Sequence, residues 1–175
     1  MRATIRELVR DKPAATAAIA VAVGGMATIL GAWFFQYVLN YQPCSLCLEQ
    51  RMPYYAAIPL AVLAAVTALA EAPRKAASVG LGLIAIIMLC GAVLGAYHAG
   101  IEWKLWAGPL ECSSPLGNFG PAGNLLERLE TVHIPRCDEA AWRFLGISMA
   151  GYNVLISMAL AAIAAAGAVY NGRGA

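Results

Sequence analysis

Cys44-Ser45-Leu46-Cys47 is a C-x-x-C unit. On a helix that spacing puts two sulfurs on one face, near enough to pass between dithiol and disulfide. The unit stands where a helix is expected to begin, and there the unpaired amides and the helix dipole favour a thiolate. Redox exchange is one use of such a pair. Zinc is another, when a second C-x-x-C or histidines complete the ligand set. Arg51 follows Cys47 by one helical turn, at the edge of an apolar run. Its guanidinium can favour a nearby thiolate, hydrogen-bond a carbonyl oxygen of something bound in the membrane, or anchor to lipid phosphate, and residue chemistry alone ranks none of these first.

Cys112 and Cys137 lie in one long polar stretch. A disulfide closing that stretch would constrain a segment rich in Gly and Pro that has no core of its own, which is a purely structural use. A second use is relay: thiolate attack on a disulfide lets two cysteine pairs exchange electrons through a mixed disulfide. His98 and His133 could complete a zinc site with the cysteines. The spacing suits one poorly, because no second C-x-x-C is present, and no metal is expected. Cys90 falls within an apolar run, where a free cysteine acts as a small hydrophobe.

The elements that must hold these residues are set by composition. Of the 175 residues, 61% are hydrophobic and 13% charged, and the mean hydropathy is +0.66. A soluble domain has about 45–50% and 25%, so a soluble globule is excluded. A net charge of +2 without a block of like charges also excludes phosphate recognition on nucleic acid. A spanning helix needs around 20 apolar residues. Runs at about 14–35, 53–70, 77–97 and 151–170 meet this without an Asp, Glu, Lys or Arg. The fold class is therefore an all-α integral membrane protein, a four-helix transmembrane bundle forming a single domain over residues 1–175. Ala and Gly dominate the runs, which suits close helix packing in lipid. The first run is too long for a signal peptide and lacks a small-residue cleavage site.

Four spans leave both termini on one side. Arg2, Arg6, Arg10, Lys12, Arg74, Lys75 and Arg173 fall on that side, and Arg51, Lys104, Arg128, Arg136 and Arg143 on the other, against more acids. The positive-inside rule then puts the termini and the turn at about 71–76 in the cytoplasm, and the loops at about 36–52 and 98–150 outside. Cys44, Cys47, Cys112 and Cys137 all lie in the outer loops, where thiols can be kept oxidised. Within the long loop, Leu125, Leu126, Leu129 and Val132 recur at helical spacing and predict a short amphipathic, interfacial helix. Trp103, Trp106 and Trp142 flank the spans at the level where Trp favours the headgroups.

The stretch YQPCSLCLEQR at 41–51 and the stretch CDEAAWRFLGISM at 137–149, set among four spans, resemble the DsbB family of bacterial membrane disulfide-bond formation proteins. The resemblance covers nearly the whole chain. It implies a protein-disulfide:quinone oxidoreductase in the bacterial inner membrane that reoxidises a periplasmic, DsbA-like thioredoxin-fold partner. By motif, Cys112 would form the mixed disulfide with that partner, and Cys137 would be released to exchange with Cys44. Cys44 and Cys47 would pass electrons to a membrane quinone, ubiquinone ahead of menaquinone, with Cys47 nearest the ring. Arg51 matches the family's quinone-interacting arginine, and His98 falls near the place of its quinone-side histidine. Vitamin K epoxide reductase-like enzymes use a similar bundle, but there the C-x-x-C comes after the loop pair and here it comes first. A non-enzymatic scaffold with structural disulfides is the remaining alternative.

Overall fold

A computed structural model of the chain describes residues 12–70, 72–109 and 136–173. Cys112, His133 and the amphipathic helix expected near residues 124–132 lie outside these residues. The described chain runs α1 (Pro13–Tyr37), α2 (Ser45–Glu49), α3 (Met52–Leu69), α4 (Arg74–Glu102), β1 (Arg143–Phe144), β2 (Ile147–Ser148) and α5 (Met149–Arg173). Four helical stretches, with α2 and α3 taken as one, are long and apolar enough to cross a membrane.

Each long helix is apolar all round, so the inward face is chosen by residue size. In α1 the buried residues include Ala14, Ala18, Val21, Gly25 and Ile29, which recur every three or four positions and form one stripe. Larger side chains such as Val23, Met26, Leu30 and Phe34 point outward, as expected where the surroundings are hydrocarbon. Ala57, Ala61, Ala64, Leu81, Ile84, Met88 and Ala164 complete a core shared by α1, α3, α4 and α5. Small residues let the backbones approach. A Cβ on Gly167 would collide with Ala17, and one on Gly95 would lie 3.0 Å from Val154 Cγ2.

The sequence runs of low charge end before the helices do. α4 continues through His98 to Glu102, and Trp103 closes it by donating its N–H to the Ala99 carbonyl at 3.0 Å. Beyond it, Trp106 turns back over Gly100, stacks on Tyr97 and donates its indole N–H to the Tyr97 carbonyl. Between α2 and α3 the chain stays near helical, but Pro53 has no N–H for the Glu49 carbonyl, and the helix restarts at Met52 with Arg51 as its N-cap.

Ahead of α5, residues 143–148 form a small antiparallel hairpin, pairing Arg143 with Ser148 and Phe144 with Ile147. Its two turn residues, Leu145 and Gly146, both have positive φ, the conformation a two-residue hairpin needs. Phe35 and Tyr152 gather around Trp142, which stacks on Phe144. Cys90 is free and lies exposed on the outside of α4, an apolar position outside the bundle's interior packing.

Candidate active site

At one end of the bundle a second, smaller core joins Cys44, Leu46, Ile101 and Cys137, with Cys47 packed against it. Cys44 is the N-cap of α2 rather than a residue of its first turn. Its backbone is extended, and its sulfur accepts the Cys47 backbone N–H at 3.2 Å. This cap is what brings the pair together: both cysteines are free, and their sulfurs are 2.6 Å apart. Cys44 is buried and Cys47 partly open. The Cys47 thiol, and after it the His98 imidazole, hold Cys44 down to about 5, against the upward push of burial.

His98 reaches this pair from α4. Its Nε2 lies 3.7 Å from Cys44 Sγ and 4.0 Å from Glu102 Oε1, one turn further along the same helix. Its Nδ1 receives the side-chain amide N–H of Gln50 at 2.6 Å. Gln50 also donates to the Leu46 carbonyl at 3.3 Å, and its oxygen accepts from Asn153 Nδ2 at 2.7 Å. The chain of bonds goes on through the Tyr54 hydroxyl, 2.7 Å from Asn153 Oδ1, to Ser157 Oγ at 2.9 Å. Polar groups from α3, α4 and α5 thus satisfy one another between the apolar faces of the bundle, as burial without water demands. Glu102 is the exception, because its Oε2 is buried with no partner.

Cys137 is disulfide-bonded and buried, with its Sγ 3.9 Å from Ser45 Oγ and its backbone against the His98 ring. The next residue ties this segment to the end of α4: Asp138 accepts from Lys104 Nζ at 3.0 Å and is chelated by the Arg136 guanidinium. Lys104, then Arg136, hold the Asp138 carboxyl below the usual carboxylate range.

Among the residues singled out from sequence, Cys44, Cys47, His98 and Cys137 therefore come together. Arg51 leans the other way, donating from Nη1 to Gln36 Oε1 of α1 at 2.7 Å. Sequence reasoning gave no role to Gln36, Tyr54, Glu102, Asn153 or Ser157. A usable signal was present for Tyr54, Asn153 and Ser157, since each is a polar side chain inside an apolar run.

The chain is similar to known proteins over most of its length. The family described as "Disulfide bond formation protein DsbB" matches residues 14–167. The chain is 30% identical over 145 residues to Disulfide bond formation protein B 2 of Pseudomonas aeruginosa, covering 78% of this chain and 80% of that one. It is 28% identical over 141 residues to Disulfide bond formation protein B of a Polaromonas species, covering 74% and 76%. An uncharacterised protein of Rickettsia prowazekii is 29% identical over 133 residues, covering 74% and 73%. No solved structure matches the chain.

Proposed function

The chain belongs to the DsbB family of membrane disulfide oxidoreductases, and from that premise we propose that it reoxidises a DsbA-like periplasmic thiol protein and hands the electrons to membrane quinone. The observation that carries this reading is the meeting of a disulfide-bonded Cys137 with a free Cys44–Cys47 pair in one small buried core. A scaffold stapled by structural disulfides would have no use for two free thiols at contact distance beside it.

A reduced partner thiolate attacks Cys112, breaking a Cys112–Cys137 disulfide and releasing Cys137 as thiolate. The partner's second thiol then displaces Cys112 and leaves the partner oxidised. Cys137 next attacks Cys44 in its disulfide with Cys47, and Cys47 leaves as thiolate. Attack by Cys112 on the new Cys137–Cys44 bond restores the loop disulfide and leaves Cys44 and Cys47 reduced. One two-electron exchange has then occurred at each pair. The N-cap position of Cys44 lowers the cost of its thiolate at the moment it departs.

The residues present fit a quinone. Arg51 has guanidinium N–H groups beyond the one given to Gln36, and Leu48 and Met52 beside it are exposed and apolar. Turned from Gln36, Arg51 would hold the head group together with Cys47 and, as the family resemblance implies, His98. When bound, a quinone accepts the two electrons and two protons released as the Cys44–Cys47 dithiol closes its disulfide. The rest of the reading follows the same orientation: both termini on the cytoplasmic side of the inner membrane, and the cysteines on the periplasmic side.

The test is thiol-trapping of the purified protein in liposomes after dithiol and then quinone. Quinone should return all four loop cysteines to a state that resists alkylation. Thiols that stay alkylatable would sink the quinone reading. A Cys112→Ser chain that still oxidised its partner at the normal rate would sink the relay.

A further inference from the structure

The atoms that converge at His98 share one property. Cys44 Sγ, Cys47 Sγ and His98 Nε2 lie within 4.8 Å of one another, and Glu102 Oε1 is 4.0 Å from the same nitrogen. All are electron-pair donors to a cation. Glu102 is nine-tenths buried, and its second oxygen has no partner. A buried carboxylate oxygen without a partner is costly. Nothing in the relay uses it.

We propose that the reduced centre binds one thiophilic divalent cation of the zinc class through Cys44, Cys47, His98 and Glu102. The proposal rests on reading Cys44–Cys47 as a pair that opens to a dithiol. Two sulfurs and one imidazole nitrogen already converge; Glu102 stands outside that group beside His98 and must swing toward the sulfurs to complete a four-coordinate set of the kind zinc takes. At metal-ligand bonds of about 2.0–2.3 Å, tetrahedral neighbours stand roughly 3.3–3.8 Å apart. The 3.7 Å from Cys44 to His98 is already of that size, and the 4.0 Å from His98 to Glu102 is close to it. The sulfurs must part from 2.6 Å, which the dithiol can do and the disulfide cannot. Cys47 is only partly buried and gives an entry path.

Binding is therefore gated by redox state. The cation replaces the thiol protons, which are released to solvent, and no electron moves. While it stays bound, both sulfurs are occupied and the pair cannot close. The centre would stall in its reduced form, so that metal excess outside the cell slows disulfide formation. Gln50 decides how well the imidazole serves. A metal on Nε2 leaves the ring proton on Nδ1, where a ligating histidine needs an acceptor. Gln50 must turn its amide oxygen to the ring and give up its bonds to both Leu46 and Asn153.

The experiment titrates cadmium, as a spectroscopic stand-in for zinc, into the full chain carrying Cys90→Ser, Cys112→Ser and Cys137→Ser. Growth of the ultraviolet thiolate-to-cadmium band is followed after reduction, with maleimide first counting the two remaining thiols. One cation per reduced chain is expected, and none after closure of the disulfide by a thiol oxidant. His98→Ala and Glu102→Gln should each weaken binding about tenfold or more, while Gln50→Glu should tighten it. Absence of the band with two thiols counted overturns the proposal, as does equal affinity in the His98→Ala and Glu102→Gln chains, which would mean a bare dithiol. Should the triple substitution not fold, the fully reduced Cys90→Ser chain, with four thiols counted, is compared with and without His98→Ala and Glu102→Gln, and equal affinity in all three overturns the proposal. Quinone-driven loss of alkylatable thiols, measured without metal, reports separately on the redox reading.

Discussion

The middle of the bundle and its cysteine end are built on opposite rules. In the middle, Ala14, Ala18, Ala57, Ala61 and Ala164 pack backbone close to backbone, and each residue matters for being small. At the cysteine end each side chain has a particular partner, from Cys44 through His98, Gln50, Asn153 and Tyr54 to Ser157. The difference teaches that one helix set can carry both rules when polar groups from several helices meet in a single chain of bonds. On the proposed function, packing dominates the first region and chemistry the second.

Substitutions should separate the two. The largest effect is expected from Cys47→Ser, which should abolish quinone-dependent thiol oxidation while thermal unfolding in detergent stays where it was. A large fall in Tm would show that the pair also holds the bundle. Gly167→Val should do the reverse: overpacking against Ala17 costs about 1–3 kcal/mol, seen as a lower Tm, with residual folded protein still exchanging thiols. Asn153→Leu sits on the border. It removes bonds worth about 0.6–1.7 kcal/mol in a membrane interior and frees the Gln50 amide, so a modest loss of stability should accompany slower turnover.

Smaller effects concern charge. In metal-free reduced protein, alkylation of Cys44 should rise with pH around a midpoint near 5, and His98→Ala should move that midpoint upward, since the imidazole favours the thiolate. A midpoint unmoved by His98→Ala would leave the neighbouring thiol and the cap as its whole cause. The smallest effect belongs to Asp138. Its carboxyl is held below its ordinary value, so the tie to Lys104 is complete above the usual carboxylate range and is lost as pH falls through the depressed value. Asp138→Asn should therefore speed hydrogen exchange around residues 136–138 at neutral pH and make no difference in strong acid.

Much of the middle was legible in the sequence, because a span is declared by the length of its apolar run. Helix ends were less so. The third run stops at Tyr97 by composition, yet backbone hydrogen bonding carries α4 on to Glu102, and the polar residues past Tyr97 are those that meet the cysteines. The C-x-x-C could be read from spacing alone, since its geometry is local. The bonds among Gln50, His98 and Asn153 could not, because they depend on how three helices are rotated against one another, and helices apolar on every side carry no polar face opposite an apolar one to reveal that. The hairpin was hidden for a different reason: Leu145 takes a left-handed conformation that leucine's own preferences do not announce.

The length of α3 sets where the sulfurs sit. At 18 residues and about 1.5 Å each it is roughly 27 Å long, close to the thickness of the hydrocarbon layer. It works as a ruler whose upper mark is Met52, with Cys47 just beyond. Inserting one residue between Ala64 and Leu69 would raise that mark by about 1.5 Å and swing it about 100° around the axis, whereas a thicker bilayer would change the depth and leave the bearing alone. Depth and bearing of the sulfurs are thus separate settings, one adjustable through the lipid and both through the chain.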